Sequence, residues 1–283
     1  MPLFLFFHSV HVFLSSLRPL ELNILGNPRP SRLPHGHEVG VVGHGPMKTS
    51  RALRADTLTS AVHVWKFTMA AVKPVLYSYY RSSCAWRVRI ALALKGIDYE
   101  YVPVHLVKDG GQQHKEDYKT MNPMAQVPTL LIDGLTLTQS IAIIEYLDET
   151  RPSPPLLPSD PKDKVKVRMI AETIASGIQP LQNLAVLLQL DEDKRPAWGN
   201  RCIDTGFQAV EAMLSQTAEK YSYGNSLTVA DLCLVPQVYN ANRFKVDMSK
   251  FPTISRVHDE LAKLEAFKKA HPSQQPDCPD DQK

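Results

Sequence analysis

Cysteine is scarce in this chain: four in 283 residues (Cys84, Cys202, Cys233, Cys278), and no two stand as a C-x-x-C pair. That excludes a paired-cysteine zinc site and a disulfide framework, disfavours dithiol exchange, and fits a reducing compartment. No uninterrupted apolar run approaches the roughly 18 residues of a membrane-spanning helix. Net charge is small as well. Residues 1–68 hold seven Lys/Arg (Arg18, Arg29, Arg32, Lys48, Arg51, Arg54, Lys66) against Glu21, Glu38 and Asp56, a net of +4, so the remainder carries +3 − 4 = −1. A nearly neutral body gives no electrostatic case for a nucleic-acid partner. Strand alternation is missing after residue 140, and so is any internal repeat. The acidic, polar stretch 272–283 reads as a flexible tail.

The first seventy residues resist a structural reading. Residues 2–17 are apolar but interrupted by His8, Ser9 and His11, with no positive segment ahead of them. That makes neither a secretory signal nor a span. Residues 26–50, rich in Gly, Pro, His and Ser, have no apolar period. Residues 1–68 are expected to be a disordered extension and are assigned no function. Several Arg and low acidity make a mitochondrial leader the lesser alternative to a cytoplasmic protein.

Against these absences, residues 82–96, SSCAWRVRIALALKG, stand out. Two hydroxyls and a thiol (Ser82, Ser83, Cys84) fall on the first turn of a helix that follows the strand Val75–Tyr79. Val88, Ile90, Ala91 and Leu94 keep helical spacing, and Gly96 stops it. Unpaired N–H groups and the positive dipole end at a helix N-terminus suit a thiolate. The residues alone leave open that Ser83 merely caps the helix and that Cys84 is a small buried hydrophobe.

A second signal is Asn122–Gly134, NPMAQVPTLLIDG. Val127-Pro128 stands at the mouth of the strand Thr129–Ile132, where Pro leaves the preceding N–H and C=O free for an extended peptide. Asp133-Gly134 makes a hairpin turn into Leu135–Leu137, and Thr138-Gln139-Ser140 opens the next helix. There Ser140 can cap the helix or bind a carboxylate.

Length predicts two domains. The Pro-rich stretch 151–160 is the linker, and Asp160-Pro161 has N-cap and N1 character. Beyond it, Val165, Met169, Ile170, Ile174, Ile178 and Leu181 are read as one face of a long helix. Helical patterns recur at 200–220, 228–241 and 254–270, with Thr228–Asp231 as a capping box.

The order strand, SSC-helix, strand, helix, Val-Pro strand, hairpin strand, helix is the thioredoxin-like layout. Residues 73–283 resemble the zeta class of glutathione transferases, the maleylacetoacetate isomerases. The matching segments are RSSCAWRVRIALALKGIDYE (81–100), KDGGQQHKEDYKTMNPMAQVPTL (108–130), TQSIAIIEYLDETRP (138–152), RMIAETIASGIQPLQNL (168–184) and LTVADLCLVPQVYNANRFKVD (227–247). Met69–Pro74 looks like this family's natural start. The resemblance implies an α+β fold: a thioredoxin-like βαβαββα domain at 73–152, an all-helical domain at 160–271, and a homodimer.

It also implies glutathione as cofactor and a site. Ser82, Ser83 and Cys84 would be the catalytic turn, extended through Ala85, Trp86 and Arg87 as a glutathione-binding segment, although Trp86, Arg87 and Arg89 also read as residues that pack or pair on the helix. Gln113 would reach the glycyl end, Val127 the cysteinyl backbone, and Gln139-Ser140 the γ-glutamyl carboxylate. Gln179, Asn183, Leu184 and Ala185 would form the opposite wall, and Arg243 would receive a substrate carboxylate. Family members often carry a hydroxyl where Ala185 stands. No metal is implied.

The implied activity is conversion of maleylacetoacetate to fumarylacetoacetate, late in phenylalanine and tyrosine breakdown, with transferase activity on α-halo acids. A free thiol has a pKa near 8.5. Lowering it by about two units takes roughly 2.7 kcal/mol. One hydroxyl hydrogen bond to the anion gives about 1.5–3 kcal/mol and a helix N-terminus about 0.3–2, so a serine suffices. Ser82 is the first candidate and Ser83 the next. Two other readings stand beside this one: a non-catalytic binding module of the same fold, and a glutaredoxin-type relative, which would want a reactive Cys at position 82 or 83.

Overall fold

The structure, a computed structural model, describes residues 72–283; the extension expected to be disordered lies outside them. Four strands form one sheet in the order β2-β1-β3-β4: β1 (Val75–Ser78), β2 (Glu100–Pro103), β3 (Thr129–Ile132) and β4 (Leu135–Thr138). β1 runs parallel to β2 and antiparallel to β3, and β3 pairs with β4 through the Asp133-Gly134 hairpin. Three helices complete this half: α1 (Ser83–Leu94), α2 (Glu116–Met121) and α3 (Ser140–Thr150). The element order is the expected βαβαββα.

The second half is helical: α4 (Pro161–Glu172), α5 (Leu184–Leu187), α6 (Arg195–Thr217), α7 (Val229–Arg243), α8 (Pro252–Ala262) and α9 (Glu265–Ala270). Asp160 caps α4, accepting from the Lys162 and Asp163 N–H groups, with Pro161 in the first turn where its missing N–H costs nothing. At the head of α7, buried Asp231 accepts from the N–H groups of Thr228 and Ser222, both at 2.8 Å. Burial pushes its carboxyl up, against those bonds.

One apolar core runs through both halves. α1 packs on α3, α7 and α9, and its Val88, Ile90 and Leu92 belong to the same buried core as Leu232, Leu234 and Phe267. The linker is held as well. The buried Lys95 ammonium, just past α1, reaches Asp148 at 2.6 Å and the Arg151 carbonyl at 2.7 Å, while the Leu156 N–H donates to the same carboxylate at 2.8 Å. Among the described residues no helix is long and apolar enough to cross a membrane.

Three expectations need correction. The face proposed beyond the linker is not one stripe: Ile170, Ile174 and Ile178 are buried with Val167 and Ala171, but Val165, Met169 and Leu181 are exposed. The helix widens into a π turn over Thr173–Ile178 and tightens to a 3-10 turn over Gln179–Gln182, which resets the period. The pattern at 254–270 is two helices, broken at Lys263-Leu264. The stretch 272–283 is not a free tail. Cys278 and Gln275 are buried, and Asp277 is bound to Tyr80 and Tyr101, so polar composition there reflects tertiary pairing rather than solvation.

Candidate active site

Ser82 ends a turn closed by its own N–H donating to the Tyr79 carbonyl at 2.9 Å. It is the N-cap of α1: its backbone is extended (φ −70°, ψ 114°) and its Oγ accepts from the Ala85 N–H at 3.2 Å. With an acceptor lone pair used inward, the hydroxyl proton remains available to donate outward. Ser83 is buried and Cys84 half-buried on the same turn.

Across from this turn Val127 precedes β3 through a cis bond to Pro128. The Gln126 carbonyl beside it is gripped by Tyr118 Oη and Asn122 Nδ2, each at 2.7 Å, and both side chains also reach Thr129 Oγ1. These bonds fix the approach to Val127 and leave its own backbone N–H and C=O without a partner among the described residues. Tyr118 was not singled out from sequence; its signal is only an aromatic in a polar helix.

At the start of α3, Gln139 takes a left-handed backbone (φ 67°), a conformation unfavourable for a residue with a side chain. Ser140 does not cap the helix. It is the first helical residue, and its Oγ accepts from Arg87 Nη1 at 3.2 Å. The same nitrogen lies 3.8 Å from Cys84 Sγ. Arg87 is 1% exposed, and its Nε and Nη2 have no partner among the described residues. Gln113 is buried too, with an unpartnered Oε1. Its amide packs on Gly111, where a Cβ would fall 2.6 Å from Nε2 and where φ is +96°.

Ser82, Cys84, Arg87, Gln113, Val127, Gln139 and Ser140 share the lining of one cavity of about 650 Å³ with Gln179, Asn183, Leu184 and Ala185 from the helical half. Asn183 caps α5 by accepting from the Ala185 N–H at 3.0 Å. A smaller cavity of about 100 Å³ adjoins it, lined by Ser83, Arg81 and Arg243 and sharing Ser82, Gln179, Asn183 and Leu184. Ser82 stands where the two meet. Desolvation, then repulsion from Arg81, lowers the pKa of Arg243. Arg81 directly precedes Ser82 in the chain, and only the fold sets it beside Arg243.

Ala85 and Trp86 do not line either space. Ala85 is fully buried beneath the turn. Trp86 lies about 200° around α1 from Cys84. It stacks edge-on with Tyr239 and His271 and faces a separate cavity of about 460 Å³. Trp86 therefore belongs to packing between the halves, not to the cavity that Ser82 and Cys84 line.

A thioredoxin-like layer with a helix-capping serine opposite a Val-Pro turn, walled by an all-helical layer, defines a glutathione transferase. The family model for the glutathione S-transferase N-terminal domain matches residues 73–149, and that for its C-terminal domain matches 182–271. Maleylacetoacetate isomerase of Mus musculus is 60% identical over 211 residues, covering 75% of this chain and 98% of that protein. The crystal structure of maleylacetoacetate isomerase from Anaeromyxobacter dehalogenans, with glutathione bound in its active site, is 45% identical. It superposes with a TM-score of 0.66 over 73% of this chain and 98% of its own. A bacterial maleyl pyruvate isomerase described as zeta class is 40% identical, with a TM-score of 0.69 over 72% and 100% of the two chains.

The chain belongs to the zeta class of glutathione transferases, the family of the maleylacetoacetate isomerases. The fold and family expected from sequence are those found, and glutathione is the cofactor of such a site. The residues present fit it. A tripeptide with two carboxylates would meet the unpartnered Arg87 and Gln113 groups, the open Val127 backbone and the Gln139-Ser140 helix start.

Proposed function

We propose that this chain catalyses the glutathione-dependent cis–trans isomerisation of maleylacetoacetate to fumarylacetoacetate in phenylalanine and tyrosine breakdown, and acts as a transferase on α-halo acids. The observation that carries this reading is Ser82, placed where the larger cavity meets one lined by two guanidinium groups. When bound, glutathione supplies a thiol whose reversible addition to the activated double bond turns it into a rotatable single bond. Ser82 Oγ–H, with the dipole of α1, holds the sulfur as its anion. The Val127 N–H and C=O pair with the cysteinyl unit, as an added strand would, and fix the sulfur at the turn. Gln113 takes the glycyl end, and Gln139-Ser140 with Arg87 the γ-glutamyl carboxylate. Arg81 and Arg243 receive the carboxylates of the keto diacid and oppose the negative charge that develops next to its carbonyl.

Four free cysteines support a cytoplasmic location as part of this reading. A homodimer would cover Val165 and Met169, about one turn apart on α4 and each 52% exposed. Isomerisation of maleylacetone or maleylacetoacetate, followed with and without glutathione, tests the activity directly. Rate that depends on glutathione while glutathione is not consumed is the expected result. Retention on immobilised glutathione with no turnover would establish the binding-module reading instead.

The two guanidinium groups make a separate expectation. Arg243→Gln should raise KM for a diacid substrate roughly five- to tenfold, the loss of about 1–1.5 kcal/mol for one exposed charge-assisted contact, and leave KM for glutathione unchanged. A monocarboxylate analogue should lose less. Equal losses for both substrates would remove Arg243 from the carboxylate site.

A further inference from the structure

The stretch after α9 closes onto the turn that carries Ser82. Asp277 Oδ2 accepts from the Tyr80 backbone N–H at 2.9 Å, and its Oδ1 accepts from the Tyr101 hydroxyl on β2 at 2.7 Å. Tyr80 Oη in turn donates to Gln282 Oε1 at 2.9 Å. From the other side the fully buried Arg89 guanidinium donates to the Tyr79 and Tyr80 carbonyls at 3.3 and 2.9 Å and to Ser78 Oγ at 3.1 Å. Its Nε reaches the Ala270 carbonyl, at the end of α9, at 3.1 Å. The backbone between β1 and α1 is thus held from α1 by Arg89 and from the C-terminal strap by Asp277. The strap also places Cys278 in the apolar cluster of Tyr79, Tyr80, Ala85, Tyr118 and Val127, which underlies both the sulfur turn and the Val-Pro turn.

A connecting turn is ordinarily the least constrained part of a domain. A hydroxyl that must meet a developing or resting anion works only in a narrow geometry, and a displacement of about 1 Å can cost on the order of a hundredfold in rate. We propose that Asp277 is a positioning residue for the reaction: through the Tyr80 N–H it sets the turn that aims Ser82 at the glutathione sulfur. This role rests on the function proposed above. The competing reading is that the strap only shields β2, an edge strand of the sheet. Shielding would affect stability alone; positioning would change the ionisation of a thiol that Asp277 does not touch.

The test uses the full chain carrying Asp277→Ala and Asp277→Asn, with Tyr101→Phe as a milder disturbance of the same carboxylate. The ultraviolet absorbance of bound thiolate is titrated against pH, and kcat and KM are measured beside the melting temperature. Asp277→Ala should raise the bound thiol's pKa by about one unit and lower kcat at neutral pH about tenfold, with little change in KM for the keto acid. Asp277→Asn keeps an acceptor for the Tyr80 N–H and should remain within about threefold of the parent. Tyr101→Phe should shift the thiol by a fraction of a unit in the same direction, and it decides the matter if Asp277→Ala does not fold. An unchanged thiol titration in the folded variants, whatever their melting temperatures, overturns the role. A parent protein that holds no ionised glutathione would remove the proposed function, and this role with it.

Discussion

Ser82→Ala is expected to lower the isomerisation rate at neutral pH ten- to hundredfold and to move the pH–rate profile to the alkaline side. In the proposed mechanism the variant removes a hydroxyl hydrogen bond to an anion, about 1.5–3 kcal/mol, and each 1.36 kcal/mol is a factor of ten. The sign follows from the sulfur. Without its donor the thiol pKa rises toward the free value near 8.5, so rate recovers only as pH approaches it. Stability should fall by about 1 kcal/mol as well, because Ser82 Oγ caps α1 at the Ala85 N–H. Ser82→Gly removes the same donor at a cost to the cap of only about a few tenths of a kcal/mol and should separate the two effects.

Cys84→Ala is the necessary contrast. Its sulfur lies in the same cavity, half-buried beside Arg87, but in the proposed reaction the attacking sulfur belongs to glutathione. The variant should cost much less in isomerisation, its larger effect falling on substrate affinity or on inactivation by electrophilic substrates. Measuring both variants against pH decides the matter. A dead Cys84→Ala beside a Ser82→Ala of unaltered rate and profile would make the attacking sulfur the protein's own.

The parts of this site that could be read from sequence are those made by neighbours along the chain. A serine one residue before a helical period, a proline at the mouth of an apolar run and Asp-Gly between two short strands each act within a few residues. Their physics does not depend on the rest of the fold. Even the placement of Trp86 is legible, since helical geometry puts it about 200° around α1 from Cys84. Arg81 was in plain view beside Ser82, but a lone exposed-looking Arg has no local signature; only the facing Arg243 at the end of α7 gives it one.

The parts that could not be read depend on partners remote in the chain. Asp277 meets Tyr80 across 197 positions, and nothing in an acidic, proline-containing end distinguishes a docked strap from a solvated tail. The face of α4 failed for a different reason. A periodic count assumes a uniform 3.6-residue turn, and the π turn at Thr173–Ile178 breaks that assumption.

Arg87→Met is expected to bind glutathione at least tenfold more weakly and yet to melt higher than the parent when no ligand is present. Arg87 carries its charge at 1% exposure, with one nitrogen on Ser140 Oγ and two without partners among the described residues. A buried ion with so few bonds is a net cost to folding. Replacing buried ions by apolar groups of similar size is often neutral or stabilising by about 1–4 kcal/mol, offset here by about 1 kcal/mol for the bond to Ser140. A sequence keeps such a group when an anion joins it later, and the cavity it lines has room for the carboxylates of glutathione. Glutathione should therefore raise the melting temperature of the parent far more than that of the variant, since stabilisation grows with ligand concentration over Kd. Calorimetric melts of both proteins across a glutathione series give the two quantities in one experiment. A variant that melts lower and is stabilised by glutathione as strongly as the parent would make Arg87 a packing residue of α1 and leave the γ-glutamyl carboxylate to the start of α3 alone.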